Sequence, residues 1–346
     1  MATFFYNRII QSEEQEVEGM KVLYADKLEP GNIRYVKDVV YAHRSGMDLT
    51  LQMLYPDIPA ELMRFQMEEE MKRNPEMMER MRRNAPRTPP PSTGNATPGE
   101  ARFMGSNPYQ PKLRMPCVMF IQGSGWGKQN VYSTLPMLID IARLGFVVAS
   151  VEYRACNVEP FPGFVSDVKA AIRYLKAHSE VFGIDPTRIA IWGDSSGGHT
   201  SLMIGSTGWT NEFDEGENLE FDSSVCACVA YYGCSDFRPF LAGGKYARPF
   251  LFNHILGDEG AKDPNGWARI SPITYIHEDK PYPPFLLMHG DVDATVPFEQ
   301  SVFMYNKLRE CHKRVDFYEV RGANHGQFFW TPEVIRITGE FLRAYV

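Results

Sequence analysis

Ser195 stands in Gly193-Asp194-Ser195-Ser196-Gly197, a serine with glycine two residues away on either side. The apolar run RIAIW precedes it and GGHTSLMI follows, so the expected context is a strand, a sharp turn and a helix. A serine on such a turn has strained backbone angles and projects its hydroxyl beyond the edge of a sheet. Side chains at the −2 and +2 positions would collide there, so both call for glycine. Ser196 does not meet this condition, because its own −2 position is Asp194. A helix starting here would also aim its free amides and positive dipole end at the hydroxyl. The chemistry these features serve is nucleophilic attack and acyl transfer. A chance GxSxG in a glycine-rich turn is the plain alternative, and the strand and helix around the motif argue against it.

A serine hydroxyl is a poor nucleophile near neutral pH and needs a base within hydrogen-bond reach. Of the eight histidines, His325 stands out because it sits in Gly322-Ala323-Asn324-His325-Gly326, directly after the last apolar run. Such a loop reaches the carboxyl end of a parallel sheet, where sites of α/β proteins lie. His289 ends a buried run and is expected to pack or bond locally, and His199 is expected to face inward from the first turn of the helix. The base in turn needs a carboxylate to fix its tautomer. Asp291 and Asp293 both follow the run PPFLLMHG and both are candidates. The chain order Ser, Asp, His is the one found in α/β hydrolases rather than in chymotrypsin- or subtilisin-type enzymes. Oxyanion donors are expected from the Ser196 amide and from Gln122-Gly123-Ser124-Gly125-Trp126-Gly127, a glycine-rich loop after an earlier apolar run. Trp126 is expected either to stack on a substrate ring or to sit in the core.

The elements that would position these groups are legible as patterns. Residues 35–55 alternate apolar and polar and break at Ser45-Gly46, which predicts an antiparallel strand pair. From about 115 onward, short apolar runs alternate with helical stretches: CVMFIQ then 133–143, FVVASVEY then 164–181, RIAIWG then 197–206. VCACVAYY, PPFLLMHG, 297–311, VDFYEV and 332–345 continue the series. This alternation predicts a mostly parallel sheet with helices on both faces, and the continuous apolar runs predict strands buried on both sides.

Two regions break the pattern. In 57–114, Met63, Met67, Met71, Met78 and Met81 recur at helical spacing, and Glu68–Lys72, Glu69–Arg73, Glu76–Arg80 and Glu79–Arg83 are paired i to i+4. The rest of that segment is a Pro/Gly/Ser linker. Its methionine stripe is expected to pack on the body or on a twin subunit, which makes a homo-oligomer the partner expectation; a lid or partner-binding helix is the alternative. The second region, 235–275, is aromatic and Gly-rich and is expected to form a small cap. The domain expectation is therefore 1–56 as leading segment and hairpin, 57–114 as an inserted arm, and 115–346 as catalytic core.

The formal charge of −7 is spread along 346 residues without a basic stripe, which argues against nucleic acid as a partner. No apolar stretch approaches the roughly 20 residues of a membrane span, and no signal peptide is recognised at the start. The six cysteines sit mostly in apolar runs, which suits a cytoplasmic protein with buried thiols. Cys226 and Cys228 lack the spacing and histidine partners of a zinc site, so no metal or cofactor is expected.

At these residues the chain resembles the esterase/lipase branch of the α/β hydrolases, in particular the bifunctional feruloyl and acetyl xylan esterases and the hormone-sensitive-lipase group. The resemblance covers roughly 115–346 and the leading hairpin, and rests on QGSGWG, VEYR, PFPGFVSDVKAAIRYL, IDPTRIAIWGDSSGGH, HGDVDATVPFEQS and GANHG. It implies an α/β-hydrolase fold with an eight-stranded sheet. It also implies Asp293 as the triad acid, His325 as the base, and Ser124 and Gly125 as oxyanion donors beside Ser196. Gln122 and Ser124 depart from the histidine and glycine usual in that stretch. The activity implied is hydrolysis of short acyl esters, acetyl-type or feruloyl, on carbohydrate or small alcohols. A prolyl-oligopeptidase-like peptidase and a catalytically silent binding protein are the alternatives.

Overall fold

The computed structural model describes residues 33–56, 114–241 and 249–346. The features expected of 57–113, including the methionine stripe, the ion pairs and self-association, lie outside the described residues. Eight strands form one sheet: β1 (Arg34–Arg44), β2 (Met47–Tyr55), β3 (Met115–Ile121), β4 (Val147–Val151), β5 (Ile184–Asp194), β6 (Ala227–Tyr231), β7 (Phe285–Gly290) and β8 (Val315–Val320). Their spatial order is β1-β2-β4-β3-β5-β6-β7-β8. The expected hairpin is present, and Ser45 and Gly46 both take positive φ at its turn, the backbone that matches the twist of paired strands. β2 runs antiparallel to β4, and all later pairs are parallel.

Parallel strands share one carboxyl edge, so the loops after β3, β5, β6, β7 and β8 meet there. β2 runs the other way, with Leu54 opposite Val148 near the start of β4. Pro56 and Arg114, which flank the inserted segment, therefore lie toward the opposite edge.

The major helices fill the predicted gaps: α1 (Leu135–Arg143), α2 (Gly163–Ala177), α3 (Ser196–Thr207), α4 (Glu299–Glu310) and α5 (Pro332–Tyr345). Alternate residues of each strand point to opposite faces, and the helices cover both. One face packs Met119, Ile191 and Leu287 with Phe164 and Val168 of α2, Leu202 and Met203 of α3, and Met304 and Leu308 of α4. The other packs Phe120, Trp192 and Leu286 with Leu138 and Ile141 of α1 and Phe341 and Leu342 of α5. Each fully buried side chain of this kind contributes roughly 1.5–3 kcal/mol.

β8 departs from the expectation of burial on both sides. As an edge strand it leaves Asp316, Glu319 and Tyr318 in solvent. The connection 235–275 contains short helices at Arg238–Leu241, Pro249–Gly260 and Gly266–Ile270 and a 3-10 turn at Pro272–Tyr275. Among the described residues no helix is long and apolar enough to cross a membrane.

Candidate active site

Ser195 lies between β5 and α3 with φ 54° and ψ −122°, a region that non-glycine residues rarely occupy. The surroundings make this turn unavoidable. A Cβ on Gly193 would stand 2.4 Å from the Gly197 carbonyl oxygen, and one on Gly197 would stand 1.9 Å from that of Ile121. Ser195 donates its amide to the Tyr231 carbonyl at 3.0 Å, which fixes the turn against β6. Ser196 is the first residue of α3, so its amide has no acceptor within the helix.

Three loops bring the expected side chains into one row. The Ser195 hydroxyl lies 2.8 Å from His325 Nε2, and His325 Nδ1 lies 2.8 Å from Asp293 Oδ2. The Asp293 side chain is fully buried, while His325 keeps 19% of its side chain exposed. Asp293 Oδ1 accepts the amides of Thr295 and Val296, both at 2.8 Å. Burial alone would raise this carboxyl, but hydrogen bonds from His289, His325 and the Val296 amide outweigh it and hold the group well below the usual carboxylate range. Asp293 is thus an anion facing an imidazole N–H. Asp291 is exposed and accepts the Gly322 amide at 2.6 Å. It is a turn residue linking the two loops.

The rival histidines are engaged elsewhere. His199 is fully buried, lies 3.0 Å from the Trp126 indole N–H, and donates Nε2–H to the Ile270 carbonyl at 2.8 Å. Burial pushes its pKa down to about 4, so it stays neutral. His289 bonds Ser301 at 2.7 Å and the Val296 carbonyl at 3.0 Å, and its Nε2 is also 3.4 Å from Asp293 Oδ2. Its contact with the carboxylate is a role the sequence did not reveal. Nor did it reveal Asn324, whose Oδ1 accepts the Ala294 amide at 3.0 Å and ties the histidine loop to the aspartate loop.

The expectation for Ser124 is corrected, and of the two readings left open for Trp126 the structure takes the core one and not the substrate-stacking one. The Ser124 amide is not an open donor, because it donates to the Ser196 hydroxyl at 2.9 Å. The Ser124 hydroxyl donates in turn to the Gly127 carbonyl at 2.8 Å. Among the described residues the amides of Gly125 and Ser196 are left without an acceptor. Trp126 does not offer a face for stacking on a substrate. It is 4% exposed, packed against His199 and Phe237, with its N–H committed to His199.

All six cysteines are free, and burial pushes Cys156 and Cys234 up to about 12, the latter helped by the Asp293 charge. Among the described residues no group of three or more His, Cys, Asp or Glu is arranged to hold a metal ion.

The BD-FAE family model matches residues 106–308. A relative from Mycobacterium tuberculosis, described as the probable carboxylic ester hydrolase LipM, is 31% identical over 205 residues, which is 59% of this chain and 47% of that protein. The chain spans about half the length of the curated relatives it matches. Among solved structures, a truncated carbohydrate esterase from gut microbiota is 28% identical with a TM-score of 0.62, covering 68% of this chain and 87% of that one. An esterase from Thermogutta terrifontis is 20% identical with a TM-score of 0.63, covering 89% and 91%. That last likeness is one of fold.

Proposed function

Since the chain belongs to the BD-FAE family, we propose that it is a serine carboxylesterase acting through an acyl-enzyme on Ser195. The observation that carries this reading is the hydrogen-bonded row of Ser195, His325 and Asp293, with 2.8 Å at each step. It begins at a strained turn where a hydroxyl is presented beyond the sheet. A neutral His325 with its proton on Nδ1 leaves Nε2 free to accept the serine proton.

In the first half-reaction the Ser195 oxygen attacks the ester carbonyl carbon and His325 Nε2 takes the proton. Asp293 stabilises the resulting imidazolium. The Gly125 and Ser196 amides receive the negative oxygen, aided by the positive end of α3. Collapse of the intermediate breaks the ester bond, and the alcohol leaves with the proton held by His325. Water, deprotonated by the same imidazole, then attacks the acyl-enzyme and releases the acid.

The substrates proposed are short acyl esters, acetyl-type and with feruloyl as a further acyl group, on carbohydrate or small alcohols. The carbohydrate esterase among the related structures supports this class. The catalytic unit proposed is 115–346 with the leading hairpin, capped in part by 235–275. Initial rates on acetyl, butyryl, octanoyl and feruloyl esters, with Ser195→Ala as control, test the reading. Expected are a preference for the short acyl groups and a loss of at least roughly a thousandfold in the control. Faster turnover of a proline amide than of p-nitrophenyl acetate would overturn it in favour of a peptidase.

A further inference from the structure

Tyr232 follows the last residue of β6 and takes φ 37°, a conformation that costs a bulky side chain energy and persists only where the surroundings impose it. It is 1% exposed. Its hydroxyl accepts the Trp330 indole N–H at 2.9 Å and donates to Asp194 Oδ2 at 3.3 Å. The other oxygen of Asp194 accepts the Gly123 amide at 2.8 Å. The Tyr232 ring also lies 4.7 Å from the His325 ring and stands perpendicular to Phe329, again at 4.7 Å.

One hydrogen-bonded chain therefore runs from Trp330 on the histidine loop, through Tyr232, to Asp194 beside the nucleophile, and on to Gly123 at the head of the oxyanion loop. These groups come from the loops after β8, β6 and β3 and from the last residue of β5. We propose that Tyr232 is a positioning residue that holds the histidine loop and the oxyanion loop in register with the nucleophile turn. The proposal rests on the serine-esterase reading.

The chemistry of the chain is consistent at each link. Burial keeps the Tyr232 phenol far above its ordinary range, so its proton stays available to Asp194. Asp194 is half-buried, and desolvation raises its carboxyl, but the Gly123 amide and the Tyr232 hydroxyl both favour its charged form. The Trp330 indole supplies an N–H that Tyr232 accepts. A phenylalanine at 232 would keep the ring against His325 and Phe329 while leaving both the Trp330 N–H and Asp194 Oδ2 short of a partner. Misplacement of about 1 Å at such a site costs up to about a hundredfold in rate.

The test is steady-state kinetics on p-nitrophenyl acetate for Tyr232→Phe, Trp330→Phe and the double variant, with thermal unfolding followed in parallel. Expected are a fall in kcat of roughly 10- to 100-fold for Tyr232→Phe with KM within about twofold. The double variant should be no slower than Tyr232→Phe alone, because both act through one chain. Labelling of Ser195 by a fluorophosphonate should slow in the same proportion as kcat. A folded Tyr232→Phe with kcat within about twofold of the parent overturns the proposal, as do multiplicative effects of the two changes. If Tyr232→Phe does not fold, Trp330→Phe alone decides: a drop in kcat at constant KM supports the coupling, and unchanged kcat overturns it. A parent protein that neither hydrolyses the ester nor labels at Ser195 would instead sink the esterase reading, and this proposal with it.

Discussion

Replacing Asp293 by asparagine should do more than remove a charge. Oδ1 of Asp293 receives two backbone amides, from Thr295 and Val296. An asparagine must therefore place its carbonyl oxygen there, which puts its NH2 where Oδ2 now meets His325 Nδ1 at 2.8 Å and His289 Nε2 at 3.4 Å. The NH2 can only donate, so His325 must present a bare Nδ1 and carry its proton on Nε2. That proton then points at the Ser195 oxygen, and the imidazole can no longer accept the serine proton. The loss of a correctly tautomerised base in a Ser-His-Asp array is worth roughly ten-thousand-fold in kcat, or about 5 kcal/mol of barrier. Initial rates on p-nitrophenyl acetate near neutral pH measure it, with KM expected to change little and the fold checked by circular dichroism. Asp291→Asn is the matched control. It keeps an acceptor for the Gly322 amide, and its rate should stay within about twofold of the parent. A folded Asp293→Asn that retains more than about a tenth of the parent kcat/KM would refute the reasoning, since His325 would then not depend on that carboxylate for its tautomer.

Gly197→Ala forces a Cβ to within 1.9 Å of the Ile121 carbonyl oxygen, so the nucleophile turn must open; a destabilisation on the order of 3 kcal/mol in urea unfolding and a collapse of fluorophosphonate labelling are expected. His199, held at a pKa of about 4, has a folded value below its unfolded one. Its contribution is therefore full above the unfolded value and is lost as pH falls through the folded one, amounting to about 3 kcal/mol. Unfolding curves at pH 7 and 4.5 should show a smaller pH effect in His199→Gln, which can keep both hydrogen bonds without taking up a proton; equal pH effects would contradict this. Trp126→Phe removes the donor to His199 and should cost about 1–3 kcal/mol of stability, while the ratio of acetyl to feruloyl turnover stays within about twofold. A large change in that ratio would restore a substrate-stacking role for Trp126.

The elements and the chemical row were legible because each leaves a local trace. CVMFIQ, RIAIWG and PPFLLMHG are strands by continuous apolarity, and Gly193 and Gly197 mark the turn by the absence of a Cβ where two backbones touch. His325, and Asp291 and Asp293 alike, follow directly on apolar runs, so parallel topology brings them to one edge; the choice of Asp293 over Asp291 rests on the resemblance and not on a local trace. What was hidden depends on neighbours distant in the chain. Trp126 is buried because His199 and Phe237, 73 and 111 residues on, enclose it. The Ser124 amide is occupied because Ser196 happens to carry a hydroxyl across from it. Tyr232 reads as the end of an apolar run, and nothing nearby announces that its hydroxyl meets residues 194 and 330. The exposed β8 could be distinguished from its buried siblings only by its place at the sheet edge, although Asp316 and Glu319 within VDFYEV were a faint sign of it.

Intact-protein and peptide mass spectrometry after treatment with a fluorophosphonate reads the central claim without reference to any particular substrate. A single covalent adduct on the peptide bearing residue 195, accompanied by complete loss of ester hydrolysis and absent from Ser195→Ala, is the predicted result. Hydrolysis that persists in that variant, or an adduct on a different side chain, would contradict the account.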